Sequence, residues 1–129
     1  MNRLEGFVKK GWGYELIWAT NDKYCGKILC FEKPGAKFSM HFHREKEETW
    51  FVNAGKFTLK YVDTATAELK EVLLQEGDTW HNPPLQPHQL IALLPNSMIF
   101  EVKAYFFQYP VHPLIGLENL EQFRLPTHD

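Results

Sequence analysis

The sequence predicts a single all-β domain, built as a sandwich or barrel of short strands. The chain has 129 residues, which is the usual size of one domain. Short apolar or alternating runs recur between segments rich in Gly, Pro, Asn and Asp, the residues that turns require. No repeat or charge block marks an internal boundary. We therefore expect one domain over residues 1–129, with an N-terminal arm at 1–12 and a C-terminal tail at 107–129.

Several runs in the chain have the length and pattern of strands. Phe57, Leu59 and Tyr61 alternate with polar residues, as in a strand with one buried face. The edges of so many short strands must be closed into a barrel or paired with a second subunit. Because the arm is apolar, we expect it to join its own core or a partner's edge, and we predict a homodimer. The predicted strands are 14–19, 25–32, 38–43, 49–53, 57–62, 69–74, 78–82, 88–94 and 98–106.

Composition limits the classes of function. Fourteen Lys and Arg against sixteen Asp and Glu give a net charge of −2, which argues against nucleic-acid binding but leaves a small anionic substrate possible. The longest apolar run, 90–94, is far shorter than the roughly 20 residues of a membrane span. The N-terminus lacks the pattern of a signal peptide, so we expect a cytoplasmic protein. Cys25 and Cys30 have odd separation on one predicted strand, which sends them to opposite faces as free thiols.

Three histidines stand where a metal site can form. His41 and His43 lie two residues apart on a predicted strand, so both rings share one face. Glu48 has the same parity as the apolar residues of the next strand, and His88 begins a third strand. Singly, each of these residues is more often solvated or part of a core than a ligand. Together, three imidazoles and one carboxylate suit zinc, iron, manganese, nickel or copper.

The spacing of these residues resembles the two cupin motifs. Gly35, His41, His43, Glu48 and Gly55 match every fixed position of the first motif. The resemblance implies a jelly-roll barrel of six to eight strands, with a divalent metal (zinc, manganese, nickel or iron) held by the two histidines, Glu48 and the histidine of the second motif. Cupins vary in the number of residues before the carboxylate, so Glu47 competes with Glu48.

The second cupin motif is matched by Gly77, Pro83 and His88. Leu85 stands where the family usually has glycine, and Ala92 where it often has asparagine. Both departures touch a turn or a strand position, and neither replaces a ligand. Together the motifs span nearly half of the chain.

A weaker resemblance concerns the segment before the barrel. Trp12-Gly-Tyr-Glu15 is similar to the entry segment of small cupins related to mannose-6-phosphate isomerases. This resemblance implies an enzyme that isomerises or epimerises a sugar or sugar phosphate. The alternative is that the aromatic residues of the segment plug one end of the barrel. Two other classes stay open, an iron-dependent dioxygenase acting on a small organic substrate and a metal- or carbohydrate-binding module without turnover.

Isomerisation requires a general acid or base near the substrate carbons. Lys37 has the parity of His41 and is expected to face the cavity, unless it is solvated at the strand start. His81 is a candidate proton shuttle that surface placement would exclude. Glu101 lies on a late apolar strand, facing either the cavity or the outer surface. These three residues are the predicted catalytic candidates.

Overall fold

The protein has an all-β fold in a computed structural model that describes residues 6–106. Nine strands and no helix occur in that range, so it contains no helix that could cross a membrane. The strands are β1 (Phe7–Lys10), β2 (Gly13–Thr20), β3 (Tyr24–Phe31), β4 (Lys46–Ala54), β5 (Lys56–Asp63), β6 (Glu68–Gln75), β7 (Thr79–Asn82), β8 (His88–Ala92) and β9 (Ser97–Tyr105).

The strands form two antiparallel sheets that enclose one core. The larger sheet has the order β1-β2-β3-β9-β4-β7, and the smaller has the order β6-β5-β8. Alternation places one face of each central strand inside: in β4, Glu48, Trp50 and Val52 are buried while the residues between them are exposed. Phe31, Phe57, Leu59, Leu90 and Ile99 are among the residues completely removed from solvent. This is the all-β jelly-roll architecture that the sequence predicts.

Most predicted strands are confirmed within a few residues, but the segment 38–43 is not a continuous strand. Two isolated bridges hold it, Lys37 to Ile91 and His41 to His88. The segment advances four residues between the bridges while its partner advances three, so it carries one extra residue. Such a bulge reverses which face the following side chains occupy. The predicted shared face of Lys37 and His41 is therefore wrong.

Within the N-terminal arm, β1 (Phe7–Lys10) forms a strand at the edge of the larger sheet. β1 pairs with β2 of the same chain, and its four residues are exposed. The arm therefore does not lie in the core of its own chain over these residues. Residues 1–5 and the predicted tail at 107–129 lie outside the part of the chain described.

One glycine of the first motif is required by both conformation and space. Gly55 has a φ of +80°, and a Cβ at this position would overlap the side chain of Ser97. Ser97 is fully buried and its hydroxyl accepts from the amide of Lys56 at 3.2 Å. The turn between β4 and β5 thus closes against the start of β9, which fixes where β4 ends.

Candidate metal centre and cavity

The three histidines of the two motifs meet at one end of the space between the sheets. His41 and His88 exchange backbone hydrogen bonds of 3.2 and 2.9 Å, which places their side chains next to each other. The amide of Leu85 donates to the carbonyl of His43 at 2.7 Å and holds the backbone that carries the third ring. One nitrogen from each of the three rings lies within 4.8 Å of the others. The predicted convergence of these imidazoles is present in the structure.

The turn that holds His43 has a strained conformation. Leu85 adopts a φ of +71°, a region that favours glycine and costs other residues about 1–2 kcal/mol. This is the position where the second motif usually has glycine, so the chain keeps the backbone shape of the motif without its preferred residue. The replacement of glycine by Leu85 therefore affects a turn, as the sequence predicts.

Backbone carbonyls select which nitrogen of two rings faces the cluster. Nδ1 of His41 lies 2.8 Å from the carbonyl of Ser39, and Nδ1 of His88 lies 3.0 Å from that of Gln86. A neutral ring must donate its one N–H to such a carbonyl, which leaves Nε2 with a lone pair. Burial, and next the charge of His88, lowers the pKa of His41 to about 3, so this ring is neutral at pH 7. These are the tautomers that bind a metal through Nε2.

Glu48 faces the rings from the larger sheet. Its Oε1 lies 3.0 Å from Nε2 of His88 and 3.3 Å from Nε2 of His43, and its side chain is 3% exposed. Burial alone would raise the pKa of Glu48, but where His43 and His88 carry a proton on Nε2 their contacts outweigh it and hold the pKa well below its usual range. Glu47 instead points outward and is one third exposed. The structure thus brings Glu48, and not its competitor, to the histidines.

Within residues 6–106, neither Oε1 of Glu48 nor Nε2 of His88 makes a hydrogen bond of acceptable geometry, although the two atoms are buried and 3.0 Å apart. A deprotonated carboxylate and the lone pair of a neutral ring are both acceptors, so their approach is unfavourable without a cation or proton between them. The donor set of three imidazoles and one carboxylate fits a divalent transition metal.

Glu101 lies on β9, directly opposite Trp50 of β4 and next to Glu48. Its oxygen accepts a hydrogen bond of 2.9 Å from the indole N–H of Trp50. Burial, and then the negative charge of Glu48, raise the pKa of Glu101 well above its usual range. A protonated Glu101 can therefore donate to the carboxylate of Glu48. The predicted choice between cavity and outer surface is resolved in favour of the cavity.

The cluster lies in the wall of a cavity of about 870 Å³. His41, His43, Glu48 and Glu101 line this cavity, with Phe38 packed 4.9 Å from the ring of His41. The other wall comes from β2 and β3 and from the hairpin between them, which contribute Glu15, Lys27 and residues 20–25. An open cavity of this size with a few convergent polar groups is the usual form of a small-molecule site.

Comparison with protein families identifies the fold. The cupin domain model matches residues 29–100, more than half of the chain. The chain belongs to the cupin family. Comparison with curated protein sequences gives no match. The cupin motifs at Gly35–Gly55 and Gly77–Ala92 both lie inside the matched region.

Solved structures resemble this cupin in fold at low sequence identity. KdgF from Halomonas sp. has a TM-score of 0.63 and 19% identity, over 83% of this chain and 87% of KdgF. An RmlC-like cupin from Shewanella frigidimarina has a TM-score of 0.62 and 20% identity, over 81% of this chain and 87% of its own. The capsular polysaccharide assembling protein CapF from Staphylococcus aureus has a TM-score of 0.65 and 18% identity, over 80% of this chain but 31% of CapF.

Two of the predicted catalytic candidates lie away from the cavity of this cupin. Lys37 is exposed and contributes nothing to the cavity wall, because of the bulge before His41. His81 lies on the outer face of β7 with half of its side chain exposed, and its Nε2 is 3.4 Å from Glu47. Both residues thus take the solvated or surface position that the sequence left open, and Glu101 is the one predicted catalytic candidate that lines the cavity.

The structure also places charged residues in the cavity that the motifs do not include. Glu15, Lys27 and Lys103 face inward from β2, β3 and β9. Glu15 belongs to the entry segment, in which Trp12 stacks on Phe31 at 4.5 Å and also lines the cavity. Parity along β9 could have revealed Lys103, because it follows Glu101 by two residues.

Proposed function

We propose that this cupin is a metal-dependent enzyme that isomerises or epimerises a sugar or sugar phosphate. The observation that supports it is the buried cluster of His41, His43, Glu48 and His88 in the wall of an open cavity. Because these ligands lie in the wall of an open cavity, a substrate can reach a metal bound there, whereas a structural metal site is closed.

The four residues of the cluster would hold the metal, with the rings of His41 and His88 oriented by their backbone carbonyls. When bound, a divalent zinc, manganese, nickel or iron ion would supply a Lewis acid for the adjacent carbonyl and hydroxyl oxygens of a sugar. The chain itself supplies the shape of the cavity and the donors around it.

Isomerisation of a sugar moves a proton between neighbouring carbons and consumes no oxidant or reductant. Glu101 is the candidate for carrying this proton, because its carboxyl group lines the cavity beside the cluster. The indole of Trp50 holds one oxygen of Glu101 in place at 2.9 Å. A positioned carboxyl group of this kind contributes about 100- to 10,000-fold to a proton-transfer rate.

The test combines metal analysis with turnover. Protein purified without chelators is expected to contain about one equivalent of divalent metal, to lose it in His41→Ala, and to interconvert aldose and ketose sugars or their phosphates. Glu101→Gln is expected to keep the metal and to lower kcat by at least about 100-fold. Absence of turnover on every aldose and ketose tested, across several divalent metals, would overturn the proposal. Oxygen consumption dependent on ferrous iron would replace it with a dioxygenase.

We also propose that the protein is a homodimer in the cytoplasm. The open edge of β1 and the exposed side chains of Trp18, Phe51, Phe100 and Val102 on the outer face of the larger sheet support this assembly. Both cysteines are free thiols, which suits a reducing compartment. A sedimentation mass near 15.2 kDa, the mass of one chain, would contradict the dimer.

A further inference from the structure

The cavity of this cupin carries an excess of positive charge. Among the residues that the structure describes, five lysines line the cavity but only four carboxyl groups do. The whole chain has a net charge of −2, so the cations are concentrated at this site. A divalent metal on the histidine cluster would add to the imbalance. The lining lysines are Lys10, Lys23, Lys27, Lys46 and Lys103, and the lining carboxyl groups are Glu15, Asp22, Glu48 and Glu101.

Two of these lysines are held on the inner face of the larger sheet. In the ladder between β3 and β9, Lys27 lies opposite Glu101 and Lys103 lies opposite Cys25. Lys27 and Lys103 are therefore diagonal neighbours on the same face, at a spacing of about 7–8 Å. Only 17% of the side chain of Lys27 is exposed, and Lys103 is half-buried. One small anion between them can contact both ammonium groups.

The carboxyl groups nearby, which include Glu101 directly opposite Lys27, offset the charge of this pair only in part. Glu15 lies 3.7 Å from the ammonium group of Lys27 and 3.9 Å from that of Lys10, so one carboxylate serves two lysines. Glu48 faces His43 and His88 and, in the loaded protein, offsets metal charge. Cations in a partly enclosed wall attract anions more strongly than the same charges in bulk water.

The distance between the pair and the histidine cluster is within the length of a single sugar. Lys103 is directly opposite Glu48 in the ladder between β9 and β4. Lys27 is one strand further, on β3, so two strand spacings, about 10 Å, separate it from the strand that carries Glu48. A molecule the size of a single sugar can place one end at the cluster and an anionic group at the lysines.

We propose that Lys27 and Lys103 form an anion subsite, and that the substrate of this cupin carries a carboxylate or phosphate group bound there while its other end faces the histidine cluster. The subsite deepens the proposed function and rests on it for the reacting end of the substrate. The two lysines determine which sugars are accepted, and neutral sugars are poor ligands.

Calorimetry on the metal-loaded full chain tests the subsite with glucose, glucuronate and glucose 6-phosphate. At least one anionic probe is expected to bind about 10-fold or more tightly than glucose, a gap of about 1.4 kcal/mol. The tighter of the two anions identifies a carboxylate or a phosphate subsite. Lys27→Gln and Lys103→Gln should each remove most of that gap while leaving glucose affinity within about 2-fold.

Two variants serve as controls. Lys33→Gln removes an exposed lysine outside the cavity and should bind every probe as the wild type does. Lys27→Arg keeps the charge and should retain the preference for the anionic probe, which separates loss of charge from loss of folding. Thermal unfolding of each variant checks that the domain is intact.

The subsite is overturned if neither anionic probe binds more tightly than glucose, absence of all binding included. It is also overturned if Lys27→Gln and Lys103→Gln both bind the anion as the wild type does. Calorimetry reports affinity and does not depend on turnover. Failure of the subsite can therefore be distinguished from failure of the proposed function. Turnover of a neutral sugar with equal affinity for all probes would support the enzyme and refute the subsite.

Discussion

Replacement of Glu48 by glutamine should have opposite effects on the metal-loaded and the metal-free protein. In the metal-free protein at pH 8, Oε1 of Glu48 faces Nε2 of His88 at 3.0 Å, and a neutral ring that donates Nδ1–H to Gln86 has no proton there. Two acceptors face each other. The amide of glutamine can donate to Nε2 instead, which adds one hydrogen bond worth about 1 kcal/mol. Metal-free Glu48→Gln should therefore be as stable as the metal-free wild type or slightly more stable.

With metal the order reverses, because glutamine supplies no charged ligand. For the wild type, a free metal concentration of about 100 times Kd stabilises the fold by about 2.7 kcal/mol. In a chain of this size that corresponds to a rise in Tm of about 10 °C. Glu48→Gln should lose most of this rise, since weaker binding reduces the same linkage. Zinc, added to the chelator-treated protein during thermal unfolding, is the simplest probe.

Glu47→Gln is the matched control, because Glu47 is the neighbouring carboxylate that points outward and contacts His81. It should show the wild-type rise in Tm with zinc. Two results would refute the reasoning. An equal rise in Glu48→Gln would remove Glu48 from the ligand set. A loss of about 2 kcal/mol or more in metal-free Glu48→Gln would mean that Glu48 pairs with a protonated imidazole.

Three further substitutions test the scaffold of the site by urea unfolding. Gly55→Ala and Gly77→Ala both place a Cβ at positive φ, +80° and +89°, at a cost of about 1–2 kcal/mol each. Only Gly55→Ala also meets Ser97, so it should cost about 2 kcal/mol more than Gly77→Ala, and equal costs would contradict the close approach. Trp50→Phe removes the 2.9 Å donor to Glu101 and should destabilise the fold by about 1–3 kcal/mol; an unchanged free energy of unfolding would show that this bond contributes nothing.

The strands that carry the ligands could be predicted because their alternation is regular. In β4 and β8 every second residue is buried, as the spacing of Glu48, Trp50 and Val52 and of His88, Leu90 and Ala92 predicts. The joint spacing of the histidines and Glu48 was a stronger signal than any single residue. Local parity sufficed here because no irregularity lies between the residues compared.

The placement of Lys37 could not be predicted, because a bulge depends on pairing with a distant strand. Nothing local in the segment shows that four residues oppose three between its bridges to Ile91 and His88. Parity therefore fails between Lys37 and His41, although it is sound within shorter runs. The same limit applies to Lys27, because no local pattern predicts that its side chain faces inward. An inward lysine in a strand reads as a solvated residue until the sheet order places it beside Glu101.

The order of strands also separates the two halves of the site. His88 comes from the smaller sheet and Glu48 from the larger, so a metal held by both connects the sheets. Lys27 and Lys103 both come from the larger sheet, whose ladder exists whether or not a metal is bound. Metal removal should therefore lower stability and leave the spacing of the two lysines unchanged. The position of an anionic group is then set by strand register, while reactivity depends on closure of the cluster between the sheets.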